Sequence, residues 1–145
     1  MSTSRSPHQG VSISIRNMQP MEIVKAVLEN NYGYFYSQIK SETSYRKIHE
    51  ILATILDTAE GILDTAEGRN SNDAISFLKK QLPRVYVIIE YQNARGQIYN
   101  GLRDLLINVI NELLSANASN IKNENLIRNA RLLIDSLAVI AKEVG

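Results

Sequence analysis

The sequence contains no cysteine and no tryptophan, and its only imidazoles are His8 and His49. Without thiols, disulfides and thiolate metal sites are excluded, and the composition suits a reducing compartment. A histidine metal cage or a Ser-His-Asp relay would have to be built around His8 or His49, and neither sits in a supporting motif. Arg46 stands too close before His49 for the Arg–His pairing of helical RNases, so His49 is expected to pack or to face solvent. The seven glycines form neither G-x-x-x-x-G-K-[ST] nor G-x-G-x-x-G, which leaves nucleotide hydrolysis without a phosphate loop. No apolar run approaches the ~18 residues of a membrane span, and residues 1–10 lack the apolar stretch of a signal peptide. The expectation is a soluble, cytoplasmic protein with no membrane partner, cofactor, metal site or catalytic residue.

What is present is ordinary globular material: 145 residues, 44% hydrophobic and 21% charged, enough for one domain with a real core. The net charge of +1 hides an uneven distribution. Residues 51–68 carry Asp57, Glu60, Asp64 and Glu67 with no Lys or Arg, which leaves the rest of the chain with a surplus of five positive charges. Such segregation predicts one acidic and one basic surface, a footprint that suits nucleic acid or self-assembly.

Residues 1–19 are rich in serine and polar, and are read as a flexible, disordered tail, with ordering against a partner left open. Val11, Ile13 and Ile15 alternate with Ser12 and Ser14, but no second strand signal is available to pair with them. From Pro20 the periodicity is helical, so residues 20–145 are read as a single all-α domain, a compact bundle of about five helices. The first helix spans about 20–30 and is interrupted by Asn30, Asn31 and Gly33. The second is capped within 41–44 and follows Tyr45, Ile48, Leu52, Ile55, Ala59, Ile62 and Ala66. Inside it the heptapeptide ILDTAEG occurs twice, at 55–61 and 62–68. Seven residues turn an α-helix through about 700°, so the duplication predicts two extra turns whose faces rotate by only ~20°. Its acidic stripe is ordinarily a solvated face, with a subunit contact or a cation site as the alternative. Gly61 makes a bend or an early stop possible, because glycine costs about 1 kcal/mol in a helix. The next segment starts at Asn70 or Ser71 and is expected to stop or kink at Pro83. Val85 to Ile89 have strand-like composition but no pairing partner, and are read as helix. Helices at about 98–115 and 126–140, with a polar loop at 115–120, complete the bundle.

Arg69, Lys79, Lys80, Arg84 and Arg95 outnumber Asp73 and Glu90 between 69 and 95. On a continuous helix Tyr91 and Arg95 each fall within about 20° of Arg84. Two guanidiniums flanking a tyrosine suit phosphate contact and stacking, although a solvated face with Tyr91 at its margin would look the same. The cluster Tyr32, Tyr34, Phe35 and Tyr36 is more naturally core or interface than a stacking platform. Arg131 and Asp135 are read as a helix-surface pair.

Two segments carry a resemblance. Thr43-Ser44-Tyr45-Arg46-Lys47-Ile48 resembles the Ser/Thr-x-apolar-Arg-x-apolar helix start of the small helical subunit of Csm effector complexes, the type III-A and III-D CRISPR machines. The run from Val85 to Arg95, ending in Tyr91-Gln92-Asn93-Ala94-Arg95, resembles that family's apolar run closing on Tyr-x-x-(Gly/Ala)-Arg. The likeness spans about residues 43–143, with the serine-rich start and the duplicated heptapeptide departing from it. It implies a non-catalytic, all-helical antiviral-defence subunit that binds along CRISPR guide RNA paired with target RNA. It also implies packing against other effector-complex subunits, including further copies of itself. Arg46 and Arg95 are the RNA-binding positions carried over by motif; Lys79, Lys80, Arg84 and Tyr91 are added from charge and spacing. The competing expectation is a homo-oligomeric helical interaction module without RNA binding.

Overall fold

The computed structural model describes residues 11–65 and 70–145, which form helices joined by short connections. Among the described residues there are seven helices: α1 (Pro20–Leu28), α2 (Tyr32–Gln38), α3 (Glu42–Leu63), α4 (Asn70–Ala94), α5 (Asn100–Leu114), α6 (Asn120–Asn123) and α7 (Leu126–Val144). The all-α expectation holds, and residues 85–89 lie inside α4. The excess over five comes from α2, formed by the aromatic run, and from α6, a single turn beyond the expected polar loop.

α3 runs through the middle, packed on α4 to one side and α7 to the other. α1 leans on α7, α5 on α4, and α2 bridges α7 and α5. The core is mainly aliphatic, with Ile48, Leu52, Leu56, Leu82, Ile89, Leu102, Leu133 and Leu137 all fully buried beside the aromatic Phe35 and Tyr45. Local chemistry sets the helix starts. Pro20 occupies the first turn of α1, where its missing N–H costs nothing, and the Gln19 N–H donates to Glu22 Oε1 at 2.7 Å in a capping box. Ser41 caps α3 by accepting from the Ser44 N–H at 3.1 Å.

Four expectations are corrected. α3 stops at Leu63 instead of running through the second heptapeptide. Hydrogen bonding there tightens to a three-residue step, with the Thr65 N–H and hydroxyl both donating to the Ile62 carbonyl, at 3.4 and 3.0 Å. Ala66, Glu67 and Arg69 lie outside the described residues, as does His8. Pro83 neither ends nor divides α4, which is continuous across it. An interior proline forfeits about 3 kcal/mol. Here Ala74, Leu78 and Leu82 before it, and Val85 and Ile89 after it, are buried on one side of the axis and hold the helix together. α5 begins at Asn100, because Ile98 instead forms an antiparallel bridge with Ile39. Finally, residues 11–19 lie against the bundle, although 1–19 reads as a flexible tail. Ile13 and Ile15 are buried, and Ser14 Oγ and the Ile15 N–H donate to Glu112 at 2.6 and 3.2 Å. Asn129 Nδ2 donates to the Ile15 and Met18 carbonyls at 2.8 and 3.3 Å. The alternation of Val11, Ile13 and Ile15 thus serves an edge laid on α5 and α7. Residues 1–10 lie outside the described residues.

Candidate nucleic-acid interface

The buried residues of α4, from Ala74 to Gln92, fix which way the helix faces. At ~100° per residue the opposite side carries Lys80, Arg84, Val87, Tyr91 and Arg95, all exposed. Val87 and Tyr91 are 66% and 59% exposed, the two most open large hydrophobic side chains among the described residues. The Arg95 guanidinium lies over the Tyr91 ring at 5.5 Å from its centroid, a cation–π contact that covers one face of the ring. At 1.5 Å rise per residue, Lys80 and Arg95 stand about 22 Å apart along the axis, with Arg84 about 6 Å beyond Lys80. Asp73 occupies the same stripe about 10 Å before Lys80.

The second resemblance motif divides its labour. Tyr91 and Arg95 face out, while Gln92 is buried and Asn93 Nδ2 donates to the Ile98 carbonyl and to Asn100 Oδ1, both at 3.1 Å. The chain leaves α4 through Gly96, whose φ of +74° is the left-handed cap conformation. The Gly96 N–H donates to the Asn93 carbonyl and the Gln97 N–H to the Gln92 carbonyl, both at 2.9 Å. These are the paired bonds of a Schellman ending. Arg95 is therefore the last residue before a fixed turn, and its position is set by the fold.

Not every expected RNA contact joins this surface. Lys79 is exposed but lies about 140° around α4 from Arg84, on the flank of Glu90, which pairs with Arg103 of α5. Arg46 donates to Glu42 Oε2 at 3.1 Å and lines the groove between α3 and α7 with His49, Ala138 and Lys142. The stripe that comes together is Lys80, Arg84, Tyr91 and Arg95.

Among the arginines of the described residues, charge pairing separates Arg84 and Arg95 from the others. Arg131 holds Asp57 at 2.9 Å and also Asp135, and Asp135 receives His49 Nε2 at 2.8 Å. Arg128 reaches Glu60 at 3.4 Å, and Arg16 reaches Glu124 at 3.3 Å. The hydrogen bond from Arg131 holds the Asp57 carboxyl below the usual carboxylate range, and Arg103 does the same to Glu90. Among the described residues no carboxylate stands within ion-pair distance of Lys79, Lys80, Arg84 or Arg95.

Helical periodicity alone misses the cross-helix partners of Asp57 and Glu60. A signal existed: acids three apart on α3 face arginines three apart, Arg128 and Arg131, on an antiparallel α7. The aromatic cluster is largely structural, with Phe35 buried, Tyr34 edge-on to it at 5.2 Å and Tyr32 stacked on Tyr36 at 6.3 Å. Burial pushes the Tyr34 and Tyr32 phenols up from their ordinary pKa, Tyr34 with Asp104 adding to the effect and Tyr32 with Glu143 and Tyr36. Among the described residues no group of three or more His, Asp or Glu side chains is arranged to hold a metal ion, and no helix is long and apolar enough to cross a membrane. Comparison with protein-family models, with curated proteins and with solved structures finds no match for this chain.

Proposed function

We propose that this protein is a non-catalytic, cytoplasmic RNA-binding subunit whose α4 face contacts the phosphate backbone of a guide RNA paired with its target. The supporting observation is the unneutralised row of Lys80, Arg84 and Arg95 on one helix, in a molecule where Asp57 and Glu60 of the acidic stripe are paired with the arginines of α7. Phosphate oxygens are the natural partners of such a row, and base pairing within the RNA supplies the sequence specificity that the protein lacks. The two short motifs described above add the type III CRISPR effector as the assembly, with backbone subunits and further copies of this chain as neighbours. No cofactor or metal takes part. Fluorescence-anisotropy titration of the full chain against a guide-length RNA, alone and annealed to its complement, tests the proposal. Binding that ignores sequence and weakens with salt is the expected result; indifference to both RNAs removes it.

One observation favours a second reading. Val87, the most exposed large hydrophobic side chain described, sits in the middle of the same face. A homo-oligomeric interaction module would bury it. Sedimentation that shows a tight dimer disrupted by Val87→Ser, together with RNA indifference, would put that reading first.

A further inference from the structure

The α4 face does not end with α4. Past Arg95 the turn of residues 95–99 is sewn to the turn between α2 and α3. The Lys40 and Ser41 N–H groups donate to the Gln97 carbonyl at 3.0 and 3.1 Å, and the Tyr99 N–H donates to the Gln38 carbonyl at 2.9 Å. Ile39 bridges Ile98, and both side chains are buried beneath the corner. Gln38 Oε1 also accepts from the Gly101 and Leu102 N–H groups at 2.8 and 3.3 Å, so the start of α5 is pinned to the same point. Two loops distant in sequence thus form one rigid corner at the end of the cationic stripe.

That corner carries Lys40, exposed and without a carboxylate in ion-pair range among the described residues, and Tyr99, 41% exposed. A lysine and an open phenol ring, the latter four residues past Arg95 in the chain, repeat on this corner the cation and aromatic pairing of Arg95 and Tyr91 on α4. Paired bases are stacked inside their helix and offer a protein only backbone and groove. An exposed ring gains from a base only where that base is unpaired.

We infer that the RNA footprint turns this corner, with Tyr99 stacking on an unpaired nucleotide of an RNA strand and Lys40 contacting its phosphate. The inference rests on the RNA reading of α4 and adds to it a site for single-stranded RNA at the end of the bundle.

The test compares single-stranded oligouridylate with a blunt-ended RNA duplex, using the full chain and the variants Tyr99→Ala, Tyr99→Phe, Lys40→Ala and Arg84→Ala/Arg95→Ala. Tyr99→Ala should weaken oligouridylate binding roughly ten-fold while leaving duplex binding within about two-fold, and Tyr99→Phe should retain the parent's affinity, because stacking needs the ring and not the hydroxyl. Lys40→Ala alters only an exposed side chain and should weaken oligouridylate binding several-fold; it carries the test alone if Tyr99→Ala folds poorly. If Arg84→Ala/Arg95→Ala loses RNA while Lys40→Ala and Tyr99→Ala bind oligouridylate like the parent, the corner is overturned and the α4 reading stands. If the parent binds neither RNA, the α4 reading fails and the corner falls with it.

Discussion

Gly101 shows how little room some single positions leave. A Cβ there would run into the Tyr34 hydroxyl and stand 2.8 Å from the Gln38 side chain that caps α5. Gly101→Ala must displace either an aromatic ring or a helix cap, and should lower stability by about 1–3 kcal/mol, read as a fall in the urea midpoint. Gly61 is the opposite case. It lies inside α3, and a methyl group added there would meet nothing within 4 Å, so Gly61→Ala should raise stability by about 0.5–1 kcal/mol in the same assay. Both glycines look alike in the sequence. Only the neighbour across space, Tyr34 for one and solvent for the other, distinguishes them. Tyr45 makes the same point within the motif that carries the resemblance. Its fully buried hydroxyl donates to the Ile134 carbonyl at 2.8 Å, and burial pushes the phenol well above its ordinary pKa.

Among elements, the pairing of α3 with α7 depends on charge as well as on apolar packing. Asp57 is exposed and hydrogen-bonded to Arg131, and its folded pKa lies below the ordinary value of 3.8. The unfolded chain therefore takes up this proton first as pH falls. The contribution of the pair is fully present above the ordinary carboxylate range and is lost as pH drops through the folded pKa. Because the pair is solvent-exposed, Asp57→Asn should cost under about 1 kcal/mol at pH 7. It should also flatten the acid limb of stability, measured by urea unfolding between neutral and acid pH. The helices themselves are legible in the sequence, since Met21 to Ile140 repeat apolar residues at three and four. The corrections fall where tertiary contact decides the outcome. Buried neighbours carry α4 through Pro83, Glu112 and Asn129 draw residues 11–19 onto the bundle, and a three-residue hydrogen-bond step closes α3 inside the second heptapeptide.

For the whole molecule, a net charge of +1 conceals two unlike regions. Along α3 and α7 the acids Asp57, Glu60 and Asp135 meet arginines of the same fold, whereas along the outer side of α4 the cations meet none of the carboxylates among the described residues. The Arg84, Tyr91 and Arg95 stripe is legible because it depends only on helical phase. Arg46 lies apart from it because phase within one helix does not reveal which neighbour packs beside it, whereas the phase of α4 itself puts Lys79 about 140° from Arg84. The corner of Lys40 and Tyr99 is invisible in the sequence, since it is made by the Ile39 and Ile98 bridge and the hydrogen bonds between two loops far apart in the chain. If the α4 cations read an RNA backbone, the salt dependence of RNA affinity must differ between the parent and Arg84→Ala/Arg95→Ala. For a single strand each phosphate contact contributes about 0.7 to the slope of log affinity against log salt. The double variant should keep the parent's thermal unfolding, lose affinity equally across sequences and show a slope shallower by about 1.4. An unchanged slope and affinity in a folded double variant would contradict an RNA-reading α4.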